Sequence, residues 1–72
     1  MRTTADLEKL IKEHGYNLLT FSEHIGVPQT TVYSLFRRNK NLENTAYRVY
    51  RAIANGLGMT SDELDRWMND EH

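Results

Sequence analysis

Apolar residues never run longer than three in this sequence; they recur at intervals of three and four between glycine stops. That pattern constrains the fold more than any other feature. A helix gathers positions i, i+3 and i+4 onto one stripe, whereas a strand scatters them over both faces. It also excludes a membrane span, which needs about 20 consecutive apolar residues, and the apolar core of a signal peptide.

Five short helices are expected, with no repeats and no low-complexity tract. The first starts near Thr3 or Thr4, where Thr3-x-x-Asp6 has capping-box spacing and Leu7, Leu10 and Ile11 form the inner stripe. Gly15 suits a left-handed stop. Asn17 caps the second helix, with Phe21, Ser22 and Ile25 inside and Gly26 at its end. Ser22 is small enough to let a neighbouring helix come close. A polar loop over residues 39–44 is pinned by Leu42. The fourth helix runs from about Thr45 to Gly56, with Ala46, Val49, Tyr50, Ile53, Ala54 and Leu57 in register. Thr60-x-x-Glu63 caps a fifth, with Leu64, Trp67 and Met68 inside, and residues 69–72 are expected to fray.

The segment GVPQTTVYSLFRR, residues 26–38, is the ambiguous one. Thr-Thr-Val-Tyr favours a strand. Pro28 suits the first turn of a helix, and Val32, Leu35 and Phe36 keep helical spacing. Adjacent Leu35 and Phe36 also break strict alternation, so residues 28–37 are read as a helix. Two short helices joined by a glycine turn over 17–37 make a helix-turn-helix. With Gln29 at 0° and about 100° per residue, Tyr33, Arg37, Thr30 and Ser34 fall within about 140° on one outer arc. Phe36 borders that arc; Val32 and Leu35 lie opposite. Glutamine, threonine and serine can read base edges. Arg37, Arg38 and Lys40 can hold phosphates, or can simply complement the negative end of the helix. Leu18 is i−3, i−4 and i−7 from Phe21, Ser22 and Ile25, so a core position is open to it as well.

Charge bears on the partner. The formal net charge is −1 and the pI about 6.3, whereas phosphate-binding chains are usually basic. Residues 1–40 carry six Lys/Arg against four Asp/Glu, and residues 41–72 carry three against six. No cysteine is present, which removes disulfides and thiolate metal sites. His14, His24 and His72 are too scattered to suggest a metal site, and no nucleophile triad, phosphate loop or HExxH occurs. The expectation is a chain that is not an enzyme, uses no cofactor or metal, takes no small-molecule substrate and does not enter a membrane. A chain of 72 residues is also small for a pocket of ordinary ligand size.

The stretch NLLTFSEHIGVPQTTVYSLFR, followed by IANGLGMTSDEL, resembles the Cro/repressor (XRE-type) helix-turn-helix family of phages and bacteria. The marks are Ser22 four before Gly26, the Gly26-Val27 turn, Val32 and Leu35 inside, and Ile53-Ala54-x-x-Leu57-Gly58-x-Thr60-x-Asp62-x-Leu64. The resemblance covers roughly residues 5–68. It implies an all-α, lambda-repressor-like five-helix bundle, one domain over 1–72, with 28–37 as recognition helix and operator binding as a dimer. Asn17, Arg37 and Lys40 would hold phosphates while Gln29, Thr30 and Ser34 read bases. The chain departs from that pattern at Leu18, Phe36 and Tyr33, where the family usually has polar groups or a smaller side chain, and at Pro28. If Leu18, Tyr33 and Phe36 are exposed, they make an anchor for protein rather than DNA. In this respect the chain resembles small phage antirepressors, or modulators of repression, which act on the lysogeny repressor itself. The expected partner is therefore a cognate repressor, with operator double-stranded DNA as the alternative, in the cytoplasm of a bacterial host; a homodimer is possible under either.

Overall fold

Local sequence signals set most of the helix ends in the computed structural model, which describes residues 2–38, 42 and 45–70. The helices are α1 (Thr4–Glu13), α2 (Leu18–Ile25), α3 (Gln29–Arg38), α4 (Tyr47–Gly56) and α5 (Ser61–Asn69), and the described residues contain no strand. At the start of α1 the Asp6 carboxylate accepts the Thr3 N–H at 2.8 Å and the Thr3 hydroxyl at 3.2 Å. These bonds hold the Asp6 carboxyl below its ordinary value. Asn17 and Thr20 form a reciprocal box at α2, as do Thr60 and Glu63 at α5, with bonds of 2.8 to 3.1 Å. Gly15, Gly26 and Gly58 have positive φ, and Gly26, at φ 73°, closes α2 in the left-handed conformation that a side chain would strain.

Three boundaries differ from expectation. Pro28 stands just before α3: its carbonyl accepts from Thr31 and Val32 N–H at 3.0 and 3.1 Å, so it caps the helix from outside the first turn. α4 begins at Tyr47 rather than Thr45, because Ala46 is extended (φ −56°, ψ 136°) and the Thr45 N–H bonds back to the Leu42 carbonyl. Asn69 is helical, its Nδ2 donating to the Asp65 carbonyl at 2.9 Å; residues 71 and 72, and all of the 39–44 loop except Leu42, lie outside the described residues.

One core joins all five helices. Leu7 and Ile11 from α1, Phe21 from α2, Val32 from α3, Ile53 from α4 and Leu64 from α5 are wholly buried, and Leu42 closes over them. Burying each such side chain contributes about 1.5–3 kcal/mol. The Cα radius of gyration is 10.9 Å, against ~11 Å for a folded chain of this length. α4 and α2 come close at Gly56. A Cβ on Gly56 would overlap Ile25 Cγ2 and come within 3.1 Å of the Phe21 ring, so α4 crosses α2 where α4 has no side chain. Ser22 is buried, its hydroxyl bonded to the Leu19 carbonyl at 2.6 Å. No described helix is long and apolar enough to cross a membrane.

Arg2, just ahead of α1, is held on α5. Arg2 N–H donates to the Met68 carbonyl at 2.8 Å, and Arg2 Nη1 donates to the Trp67 carbonyl at 2.6 Å and lies 3.4 Å from Asp70. The guanidinium sits 4.3 Å from the centre of the Trp67 ring. Trp67 is therefore a half-buried residue under an arginine, not a full member of the core. Ile25 is likewise only half-buried, at the last turn of α2.

Candidate recognition face

α2 and α3 pack against each other across the three residues Gly26, Val27 and Pro28. Val32 and Leu35 anchor α3 inward. Gln29, Thr30, Ser34, Arg37 and Arg38 are exposed, as the helical arc predicts. Tyr33 is half-buried, with its ring against the core margin.

Two residues expected on this face are not on it. Leu18 is 3 % exposed and Phe36 7 %; both belong to the core. Leu18 shares its side of α2 with Phe21 and Ser22, so the i, i+3, i+4 stripe takes it inward. Phe36 falls beside Val32 on the helix circumference, where α1 also contacts α3 and the border of the arc is covered. The exposed apolar side chain on α2 is instead Leu19, 39 % exposed, one position along.

The expected phosphate contacts divide as well. Asn17 is exposed, but its Oδ1 accepts the Thr20 N–H at 2.8 Å and so caps α2. Arg37 Nη2 lies 4.0 Å from Glu8 Oε2 on α1, a carboxylate that also meets Lys12 Nζ at 3.5 Å. Lys40 lies outside the described residues. Arg38 lines an open groove of about 580 Å³ between α3 and the start of α4, with Thr30, Ser34 and Leu35 on one wall and Thr45 and Val49 on the other. Thr45 Oγ1 is buried there without a hydrogen-bond partner, and Ala46 offers no side-chain cap to the first turn of α4. No local spacing marks this groove, because it depends on how the start of α4 lies beside α3.

Among the described residues, no group of three or more His, Cys, Asp or Glu could hold a metal ion. His24 is exposed and stacks on Tyr16 with ring centres 4.8 Å apart. The face can thus offer an amide, hydroxyls, two guanidinium groups and part of one aromatic ring, which is chemistry for recognition. The chain matches no family model, no curated protein and no solved structure.

Proposed function

We propose that α2 and α3 form a helix-turn-helix, and that the outer face of α3 docks on the DNA-binding domain of a partner repressor. The chain is then an antirepressor, a small regulator of transcription in a phage-type genetic switch, acting in the cytoplasm of a bacterial host. The observation that carries this reading is the state of its cations. Arg37 lies 4.0 Å from the Glu8 carboxylate, so a cation that a duplex would need for its phosphates also faces an anion of its own chain. The net charge of −1 works in the same direction, since non-specific DNA affinity comes from releasing counterions around phosphates. Tyr33, with Gln29 and Arg37 beside it, supplies a docking anchor.

The experiment is titration of the purified chain into the DNA-binding domain of the cognate repressor. Tyr33→Ala is expected to weaken the complex by about 2 kcal/mol, close to 30-fold. No measurable complex with the unaltered chain would overturn the proposal.

A second reading has an observation of its own. Burial of Leu18 and Phe36 leaves the α3 face mostly polar, and Gln29, Thr30 and Ser34 suit base edges in a major groove. In that case the chain is a Cro-like repressor that binds operator DNA directly. A gel shift at low salt separates the two. Sequence-selective binding by the chain alone, lost in Gln29→Ala, would favour direct operator binding.

A further inference from the structure

Asn55 is the one asparagine in the sequence that a glycine follows. An asparagine side chain is open to attack by the backbone nitrogen of the next residue, and glycine has no Cβ to stand in the way. The Gly56 nitrogen bonds to Asn55 Cγ and gives up its proton, and the side-chain nitrogen leaves as ammonia, closing a cyclic imide. Water then opens the ring at either carbonyl, leaving aspartate or the β-linked isoaspartate. The exchange is hydrolytic, an amide for a carboxylic acid, and nothing is oxidised or reduced. The Asn55 side chain is exposed, so water reaches it.

The fold opposes this reaction at the backbone. Asn55 and Gly56 are the last two residues of α4, and the attack requires Asn55 to leave its helical ψ. Beyond them the helix closes in a Schellman motif. Met59 N–H donates to the Ala54 carbonyl at 2.9 Å, and Gly58 N–H donates to the Asn55 carbonyl at 3.0 Å, with Gly58 at φ 75°. The Asn55 carbonyl and the Gly56 nitrogen belong to one planar peptide unit. The nitrogen therefore cannot turn toward Asn55 Cγ while the Gly58 bond holds. Gly56 also lies against Ile25 and Phe21 of α2, which leaves the peptide little room to swing on that side. These restraints sit in one turn at a helix end, where a chain opens at lower cost than in its core.

We propose that Asn55–Gly56 is a site of spontaneous deamidation, and that the closure of α4 by Gly58 sets its rate. The reaction needs neither a partner protein nor DNA, so it stands apart from the proposed function. Its product adds one negative charge to the formal net charge of −1 and places it in the groove that Asn55 lines with Tyr47, Arg51 and Asp62. The β-linked form also lengthens the backbone by a methylene beside the α2 crossing.

Peptide mass spectrometry on chain aged at neutral pH tests it. Trypsin cuts after Arg51 and Arg66, releasing residues 52–66 with Asn55 as their only asparagine. The mass change from amide to acid is expected to accumulate in strong urea, and about tenfold or more slowly in buffer without denaturant. Gly58→Ala, which forces a side chain into the left-handed conformation, should raise the rate severalfold in buffer and leave the rate in urea unchanged. Asn55→Gln should show no mass change over the same period. Should Gly58→Ala fail to fold, as circular dichroism would report, the milder Gly58→Asp takes its place. No product at Asn55 in urea would overturn the proposal. So would equal rates in urea and buffer, or a position-58 variant that ages no faster than the unaltered chain in buffer.

Discussion

Replacing Gly56 by alanine puts two opposing effects on one atom. Gly56 is the last residue of α4 and does not have positive φ, so alanine there relieves glycine's backbone entropy by about 0.5–1 kcal/mol. The new methyl would overlap Ile25 Cγ2 and stand 3.1 Å from Phe21 Cε1 and Cζ. Phe21 is wholly buried and cannot retreat, and Ile25 Cγ2 is carried on Cβ, close to the backbone. Room is made only by moving Ile25 off its preferred helical rotamer or by shifting α4 off α2, and overpacking of this kind costs about 1–3 kcal/mol. The steric effect is the larger, giving a net loss of about 1 kcal/mol and a Tm lower by about 5 °C. Thermal unfolding followed by circular dichroism measures it. In an Ile25→Ala background, where that methyl is gone, the cost of Gly56→Ala should shrink by about 0.5 kcal/mol or more. Gly26→Ala is the contrasting case. Nothing lies within 4 Å of a Cβ there, and its cost of about 1 kcal/mol comes from φ 73° alone, so Ile25→Ala should not relieve it. An unchanged or raised Tm for Gly56→Ala, or equal cost in both backgrounds, would refute the reasoning.

Further outcomes follow from the same structure. Leu18→Ala should cost about 2–5 kcal/mol in urea unfolding, as a core truncation does and a surface truncation does not. Arg2→Ala removes the bond to the Trp67 carbonyl and the stack on its ring; it should cost about 1–3 kcal/mol and shift Trp67 emission to longer wavelength. Tyr50 has a folded pKa raised above 10.0, so its stabilisation is complete below that pH and is lost as pH rises through the folded value; Tyr50→Phe should flatten the alkaline loss of stability. Asp6 has the opposite sign, lowered from 3.8, so its stabilisation is present above 3.8 and lost as pH falls further; Asp6→Asn should flatten the acid limb of the same profile.

The helix ends were legible because their causes are local. Thr3 with Asp6, Asn17 with Thr20, and Thr60 with Glu63 act within three residues of each other, and Gly15, Gly26 and Gly58 signal their own φ. The burial of Val32 and Leu35 was equally plain from spacing, and with it the exposure of Gln29, Thr30 and Ser34. Phe36 was ambiguous because it lies at a stripe margin, where a neighbouring helix decides burial, whereas Leu18 lies inside the stripe of Phe21, Ser22 and Ile25 and its spacing already allowed a core position; two positions offered as apolar anchors proved to be core. The contact at Gly56 was hidden for a different reason. A glycine at a helix end reads as a stop, and only the crossing with α2 gives it a second purpose. Arg2 over Trp67 spans 65 positions, beyond any periodicity.

The bond from the Arg2 amide to the Met68 carbonyl brings the first and last described helical segments together at one corner of the molecule. A short glycine-serine bridge from the end of α5 to residue 2 would therefore close the backbone into a ring with little distortion. Opened instead at the exposed turn around Gly15, such a ring would begin at α2 and finish with α1. If that rearranged chain still buries Leu7 and Ile11, the order in which the helices are synthesised has no part in specifying the bundle.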